Sequence, residues 1–211
     1  MKKSINMKLF SKALCIAFVL TVFYSLIPFE AECNEISNEV FRIHILANSD
    51  SQADQNLKLK VRDEILAYSE ELFNSANSKE EAEKIVQENL AEIIAVAQKK
   101  VYDEGYDYKV DAEITNMYFT TRYYEQFTMP SGMYDALRVT IGEGEGQNWW
   151  CVMYPSICLS ASIESDEKAK ESFTDNQYDI VSSGEYQYRF KVVEIFEKIT
   201  SFFAEDNKEI F

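Results

Sequence analysis

The chain has one histidine, His44, in the run Phe41-Arg42-Ile43-His44-Ile45. A histidine that works as a general base needs a nucleophile and a third group to orient it. The sequence holds neither a Gly-x-Ser-x-Gly elbow nor a His-Glu-x-x-His pair, so a structural or hydrogen-bonding role is expected for His44. Carboxylates are abundant, 36 Asp and Glu, and at that number an acid–base pair of the glycosidase kind is neither excluded nor supported by counting. Gly142-Glu143-Gly144-Glu145-Gly146 has the glycines of a phosphate cradle. Such a cradle normally leads into a helix N-terminus, whereas this one runs into Trp149-Trp150-Cys151 and carries two glutamates that repel an anion. It reads instead as an acidic hairpin, a solvated turn or a face for a partner.

Of four cysteines, Cys151 and Cys158 form a close pair around Tyr154-Pro155-Ser156. A disulfide across that turn is expected if the chain is exported, because thiols outside the cytosol tend to pair. A metal site would need further Cys or His ligands, so no metal and no cofactor are expected.

Export is suggested by the first 31 residues. Lys2, Lys3, Lys8 and Lys12 precede the uncharged apolar run Ala13 to Phe29, the pattern of a secretion signal. As a helix, that run is somewhat shorter than the roughly 30 Å hydrocarbon core, which favours a cleaved signal, while the large Phe29 before Ala31 keeps a retained anchor open. Glu32 directly before Cys33 speaks against lipidation. Loss of residues 1–31 removes four lysines and Glu30, leaving 17 basic and 35 acidic side chains, formally −18, against −15 for the whole chain. No nucleic-acid partner is expected, since phosphate binding relies on clustered cations. Membrane contact is expected only through the N-terminal segment or a partner.

The elements that must position these groups follow from periodicity. Val40 to Leu46 predicts a first strand ending at Ala47-Asn48-Ser49-Asp50. Ser51 with Asp54 opens a helix striped by Leu57, Val61, Ile65, Tyr68 and Leu72, and Ser78 with Glu81 opens a second, closed by Gly105. Tyr108 to Thr115 alternates as a half-buried strand. Tyr123 to Met129, Ala136 to Ile141 and Trp149 to Tyr154 predict three more, the last two joined by the glycine hairpin and all paired antiparallel. Twelve aromatic residues between Tyr102 and Tyr154 suit an aromatic sheet face packed on two helices. Ser160 to Ser183 reads as a polar loop, and Tyr186 to Phe203 as a helix. The expected fold is α+β: a mostly antiparallel sheet against two long helices, with a C-terminal helix. Residues 1–31 are expected to be a signal peptide or N-terminal anchor, 38–160 the α+β domain, and 161–211 the polar loop and C-terminal amphipathic helix.

Asn48, Ser49, Asp50 and Ser51 are explained by strand-exit and helix-cap chemistry, though the same cluster could hold a ligand. Arg62 and Asp63 suit an ion pair on a solvated face. Trp149 and Trp150 alternate sides of a strand, leaving either one ring exposed as an anchor for a partner or both covered by helices.

Two blocks are more specific than any single residue. One is His44-Ile45-Leu46-Ala47-Asn48-Ser49-Asp50-Ser51 followed by Asp54-Gln55, Leu57-Lys58 and Val61-Arg62-Asp63. The other runs from Pro130-x-Gly132-x-Tyr134-x-Ala136-Leu137-Arg138 through Ile141-Gly142-x-Gly144-x-Gly146-x-Asn148-Trp149-Trp150-Cys151-Val152 to Pro155 and Cys158. Together they resemble the stage II sporulation protein R family of endospore-forming bacteria over roughly residues 40–160. Ser156 stands where a second proline is expected. The resemblance implies a noncatalytic messenger, made in the forespore and exported into the space between forespore and mother-cell membranes. There it would activate a membrane-embedded aspartic-type protease that trims the precursor of sigma factor E. The expected contact surface includes Asn48, Ser49, Asp50, Glu143, Glu145, Asn148 and Trp150. The rival classes are an exported cell-envelope hydrolase using a carboxylate pair and an acidic structural component of the envelope.

Overall fold

A computed structural model describes residues 7–73, 76–124, 127–155 and 169–195. Its centre is strand β1 (Phe41–Leu46), in which all six residues are buried. A strand covered on both faces belongs in a sheet interior. Accordingly β1 lies between β5 (Gly132–Ile141) and β6 (Asn148–Tyr154), with β2 (Val110–Phe119) outside β5, in the order β2-β5-β1-β6. β1 runs parallel to β5, from Phe41 opposite Asp135 to Leu46 opposite Thr140. It runs antiparallel to β6, and β2 antiparallel to β5.

Two strand expectations are corrected by this topology. The glycine segment does not join neighbouring strands as a hairpin: β5 and β6 flank β1, so residues 142–147 cross over its end. One strand pair is therefore parallel in a mostly antiparallel sheet. The predicted strand Tyr123 to Met129 is instead two short arms, β3 (Arg122–Tyr123) and β4 (Thr128–Met129), paired with each other.

Phe41, Ile43 and Ile45 of β1 point with Leu137, Val139 and Ile141 of β5 toward one helical layer. That layer begins with α2 (Gln52–Phe73), whose Leu57, Val61 and Ile65 are buried. Ser51 starts α2 as expected, its Oγ accepting the Asp54 N–H at 3.1 Å. Ser78 caps α3 (Lys79–Glu88) by accepting the Glu81 N–H. The long second helix expected from Ser78 to Gly105 is broken at Asn89, giving α3 and α4 (Leu90–Asp103). Asn89 ends α3 by donating both its backbone N–H and Nδ2 to the Ile85 carbonyl, local competition of the kind that makes Asn a poor interior helix residue. Beyond α4, Gly105 at φ +84° lets its own N–H reach Tyr102 O and Tyr106 N–H reach Val101 O, the paired bonds of a Schellman stop.

The aromatic side chains divide between the two faces: Tyr106, Tyr108, Trp149 and Tyr154 meet the helical layer as expected, whereas Phe119, Phe127, Tyr134 and Trp150 take the other face. Phe119, Tyr134 and Val152 pack there with Phe29, Cys33 and Ile36 from the end of α1 (Met7–Glu39). Phe173, Ile180, Val181, Phe190 and Val193 complete this second core. Part of the expected polar loop is thus helical, residues 169–172 and α5 (Asp175–Ser182). Thr174 and Gln177 form a complete capping box at the start of α5. Among the described residues no helix is long and apolar enough to cross a membrane.

Candidate functional site

The two sequence blocks singled out above meet in space, at the end of β1. Asn48 Oδ1 accepts the Glu143 N–H at 3.0 Å, and its Nδ2 donates to Asp54 Oδ2 at 3.0 Å. The Asn48 and Ala47 carbonyls accept the N–H groups of Glu145 and Gly146. Asp50 Oδ1 accepts the Gln147 N–H at 2.8 Å. Ser49 Oγ donates to Asp54 Oδ2 at 2.5 Å and accepts the Ser51 N–H at 3.2 Å. Asp54 therefore turns its carboxylate into the loop instead of closing a capping box. Burial alone would raise its pKa, but hydrogen bonds from Ser49, Asn48 and Tyr108 outweigh that and hold it below the ordinary value. Beneath the loop, buried Lys58 donates to Gln147 O and Gln55 Oε1, both at 2.7 Å, and burial lowers its pKa.

Glycine is required at two of these positions for different reasons. Gly142 sits at φ +61°, and a Cβ there would lie 2.2 Å from Asn48 Oδ1. At Gly146 a Cβ would lie 2.3 Å from the Ser49 carbonyl oxygen. Asn48 and Asp50 thus hold the crossover, Ser49 spends its polar groups on Asp54, Ser51 and Gln55 at the start of α2, and Glu143 and Glu145 project into solvent.

The second group of candidate residues lies on the aromatic sheet face. Trp150 stacks on His44 at 4.3 Å between ring centroids and meets Phe119 edge-on at 4.7 Å. The Arg122 guanidinium lies over the Trp150 ring at 4.6 Å. Below, the wholly buried Arg42 lies 4.1 Å over Phe119 and 4.8 Å over Tyr134. Its Nη2 donates to Tyr124 OH at 2.7 Å, and Tyr124 OH donates to Trp150 O at 3.1 Å. Such cation–ring contacts strengthen when water is excluded.

His44 is 4% exposed, and its Nε2 meets Asn148 Oδ1 at 2.7 Å. With an amide oxygen there, Nε2 carries the proton of the neutral ring. Burial lowers the His44 pKa, the Asn148 bond opposes this, and the positive charges of Arg138, Arg122 and Lys58 lower it further. The imidazole is consequently held as a neutral stacking and hydrogen-bonding group.

Trp149 and Trp150 take opposite faces, each half-buried. Trp149 carries Arg62 at 5.0 Å over its ring, and Arg62 also bonds Asp63 at 2.8 and 2.6 Å. Exposed Asn148 links the crossover to the stack through His44. Alongside, an open groove of about 370 Å³ between β2 and β5 is lined by Lys109, Asp111, Glu113, Arg138 and Thr140. Its carboxylates face cations, Lys109 to Asp111 and Arg138 to Glu113, each at 3.5 Å. Among the described residues no group of His, Cys, Asp and Glu is arranged to hold a metal. Cys151 is buried in β6, and Cys158, its expected partner, lies outside the described residues.

The structure thus brings Asn148 and Trp150 together with a set that sequence reasoning passed over: Arg42, Arg122, Phe119 and Tyr124. Arg42 left one signal, a charged residue inside the most apolar strand.

The family model described as stage II sporulation protein R matches residues 37–164, the span from the end of α1 through β6 and beyond. A curated relative, "Stage II sporulation protein R" of Bacillus subtilis (strain 168), is 35% identical over 136 residues, which is 64% of this chain and 60% of that protein. The match therefore spans about three fifths of the relative's length. No solved structure matches.

Proposed function

This chain belongs to the stage II sporulation protein R family, and on that premise we propose that it is a sporulation signal that acts by docking. It is made in the forespore, carried across the membrane by residues 1–31, and displayed in the space between the two membranes. There it engages the membrane-embedded protease that processes the sigma factor E precursor and switches that protease on. The chain makes and breaks no substrate bond of its own.

The observation that carries this proposal is the Arg122–Trp150–His44 stack. A half-exposed Trp backed by Arg on a rigid sheet is the kind of group that dominates binding at protein interfaces. It is held on both sides, by the crossover through Asn148 and by β1 beneath, so little entropy is lost on docking. Asn48 and Asp50 contribute by holding that crossover and Ser49 by fixing Asp54 beside them, with Glu143 and Glu145 at its rim.

The test is reconstitution of the full chain with the protease and the precursor in liposomes, scored by precursor cleavage. Trp150→Ala should lower the cleavage rate on the order of tenfold or more, as loss of a central aromatic anchor does, with the melting transition retained. Wild-type cleavage by a folded Trp150→Ala chain refutes this docking face.

A further inference from the structure

Among the described residues, no carboxylate pairs with the cations of the stack. Arg42 Nη1 and Arg122 Nε are buried N–H donors without a hydrogen-bond partner, while His44 Nδ1, unprotonated in the neutral ring, is buried without a donor. They belong to one continuous set of contacts, since Arg42 covers Phe119, Phe119 abuts Trp150, and Trp150 contacts both His44 and Arg122. Neither arginine forms an ion pair with a described carboxylate, although the chain as a whole carries −15. The charges acting on His44 are likewise all positive, from Arg138, Arg122 and Lys58.

An unpaired buried guanidinium is costly, and an apolar residue of similar volume is often equal or better for stability. Arg42, wholly buried, is therefore poorly explained as stabilising the isolated chain, and half-buried Arg122 lies over the Trp150 ring above it. Their unsatisfied nitrogens are the donors that a carboxylate accepts, and a guanidinium matches a planar two-oxygen acceptor better than any other side chain does. The rings of Trp150, Phe119 and Tyr124 provide apolar walls for the methylene stem of a side chain. A free, strongly hydrated anion such as phosphate has no stem to bury and more water to shed.

We propose that the Arg122–Trp150–His44 stack receives a glutamate or aspartate carboxylate from an acidic segment of the polypeptide partner. The carboxylate binds Arg122, and Arg42 adds positive charge beneath it. On an otherwise acidic surface this one spot attracts what its surroundings repel, which fixes where and in which register the segment binds. The inference rests on the docking role proposed above and names the chemistry of the partner.

Because His44 is the only histidine, its ring resonances report on the stack without ambiguity. The full chain is titrated at constant ionic strength with a capped tetraglutamate peptide, a capped tetralysine peptide and inorganic phosphate. Tetraglutamate should give a saturable shift of the His44 signals, and Arg122→Gln should weaken it about tenfold, the loss of one charge-assisted contact. Arg42→Met, expected to keep its melting temperature, should weaken it as well. If Arg42→Met does not fold, the Arg122→Gln comparison decides. No saturable shift, equal binding by Arg122→Gln, or an equal response to phosphate or tetralysine overturns the proposal. Failure here with Trp150→Ala still defective in precursor cleavage leaves docking intact and removes only carboxylate recognition.

Discussion

Replacement of Gly146 by alanine tests whether the crossover is as tightly seated as its contacts require. The added methyl would lie 2.3 Å from Ser49 O, 2.6 Å from Ser49 C and 2.9 Å from Ala47 Cβ. Two of these atoms are backbone, so no rotamer change relieves the overlap. Overpacking of this kind costs about 1–3 kcal/mol. If the loop lifts instead, it gives up the bonds from Gly146 N–H to Ala47 O at 2.9 Å and from Glu145 N–H to Asn48 O at 3.3 Å, each contributing about 1 kcal/mol. Either route destabilises the fold by about 2 kcal/mol, equivalent to about 4–8 °C in melting temperature for a chain of this size. Gly105→Ala is the matched control, because its φ is +84° yet nothing lies within 4 Å of the added methyl. Only the left-handed backbone penalty of about 1 kcal/mol applies there. Urea and thermal unfolding of both variants, followed by circular dichroism, separate steric from conformational cost. Equal destabilisation by the two would refute the close seating of the crossover on Ser49.

Acid should weaken the fold through His44. Burial lowers its folded-state pKa, so below the unfolded value of about 6.5 the unfolded chain binds the extra proton. The His44 contribution is therefore fully present above about pH 6.5 and declines as pH falls below it. His44→Gln should flatten the stability profile between about pH 6.5 and 5, and a His44 ring that titrates above the ordinary value would contradict this. Mass spectrometry without reductant should show Cys151 joined to Cys158, a short loop that contributes about 2–3 kcal/mol. Free thiols at both positions in exported material would refute the bridge.

What was legible in the sequence was local. The start of α2 at Ser51, the start of α3 at Ser78 and the stop at Gly105 each rest on side chains within a few residues of the bond they make. The break at Asn89 was visible only as a polar residue in an apolar stripe, and its meaning depended on the Ile85 carbonyl competing for it. The start of α5 had a readable signal in Thr174-x-x-Gln177, masked by the polarity of the surrounding segment. Strand order was not legible, because the neighbours of β1 lie about a hundred residues away and period-two alternation does not say which strand pairs with which. The crossover contacts depend on that same pairing: Asn48 reads as a cap until Glu143 is brought to it. Arg42 and Arg122 went unnoticed as a pair for a similar reason, since a charged residue in a strand is ordinarily assigned to water.

The innermost strand of this sheet is also the first to be synthesised. Both of its edges stay open until residues 132–154 arrive, and a partner pair this distant in sequence makes closure slow and nonlocal. A nascent or truncated chain ending before Tyr154 would carry two bare strand edges along Phe41–Leu46, an invitation to aggregate. Completion of the sheet therefore waits on its last strand, which seals the second edge of the strand made first.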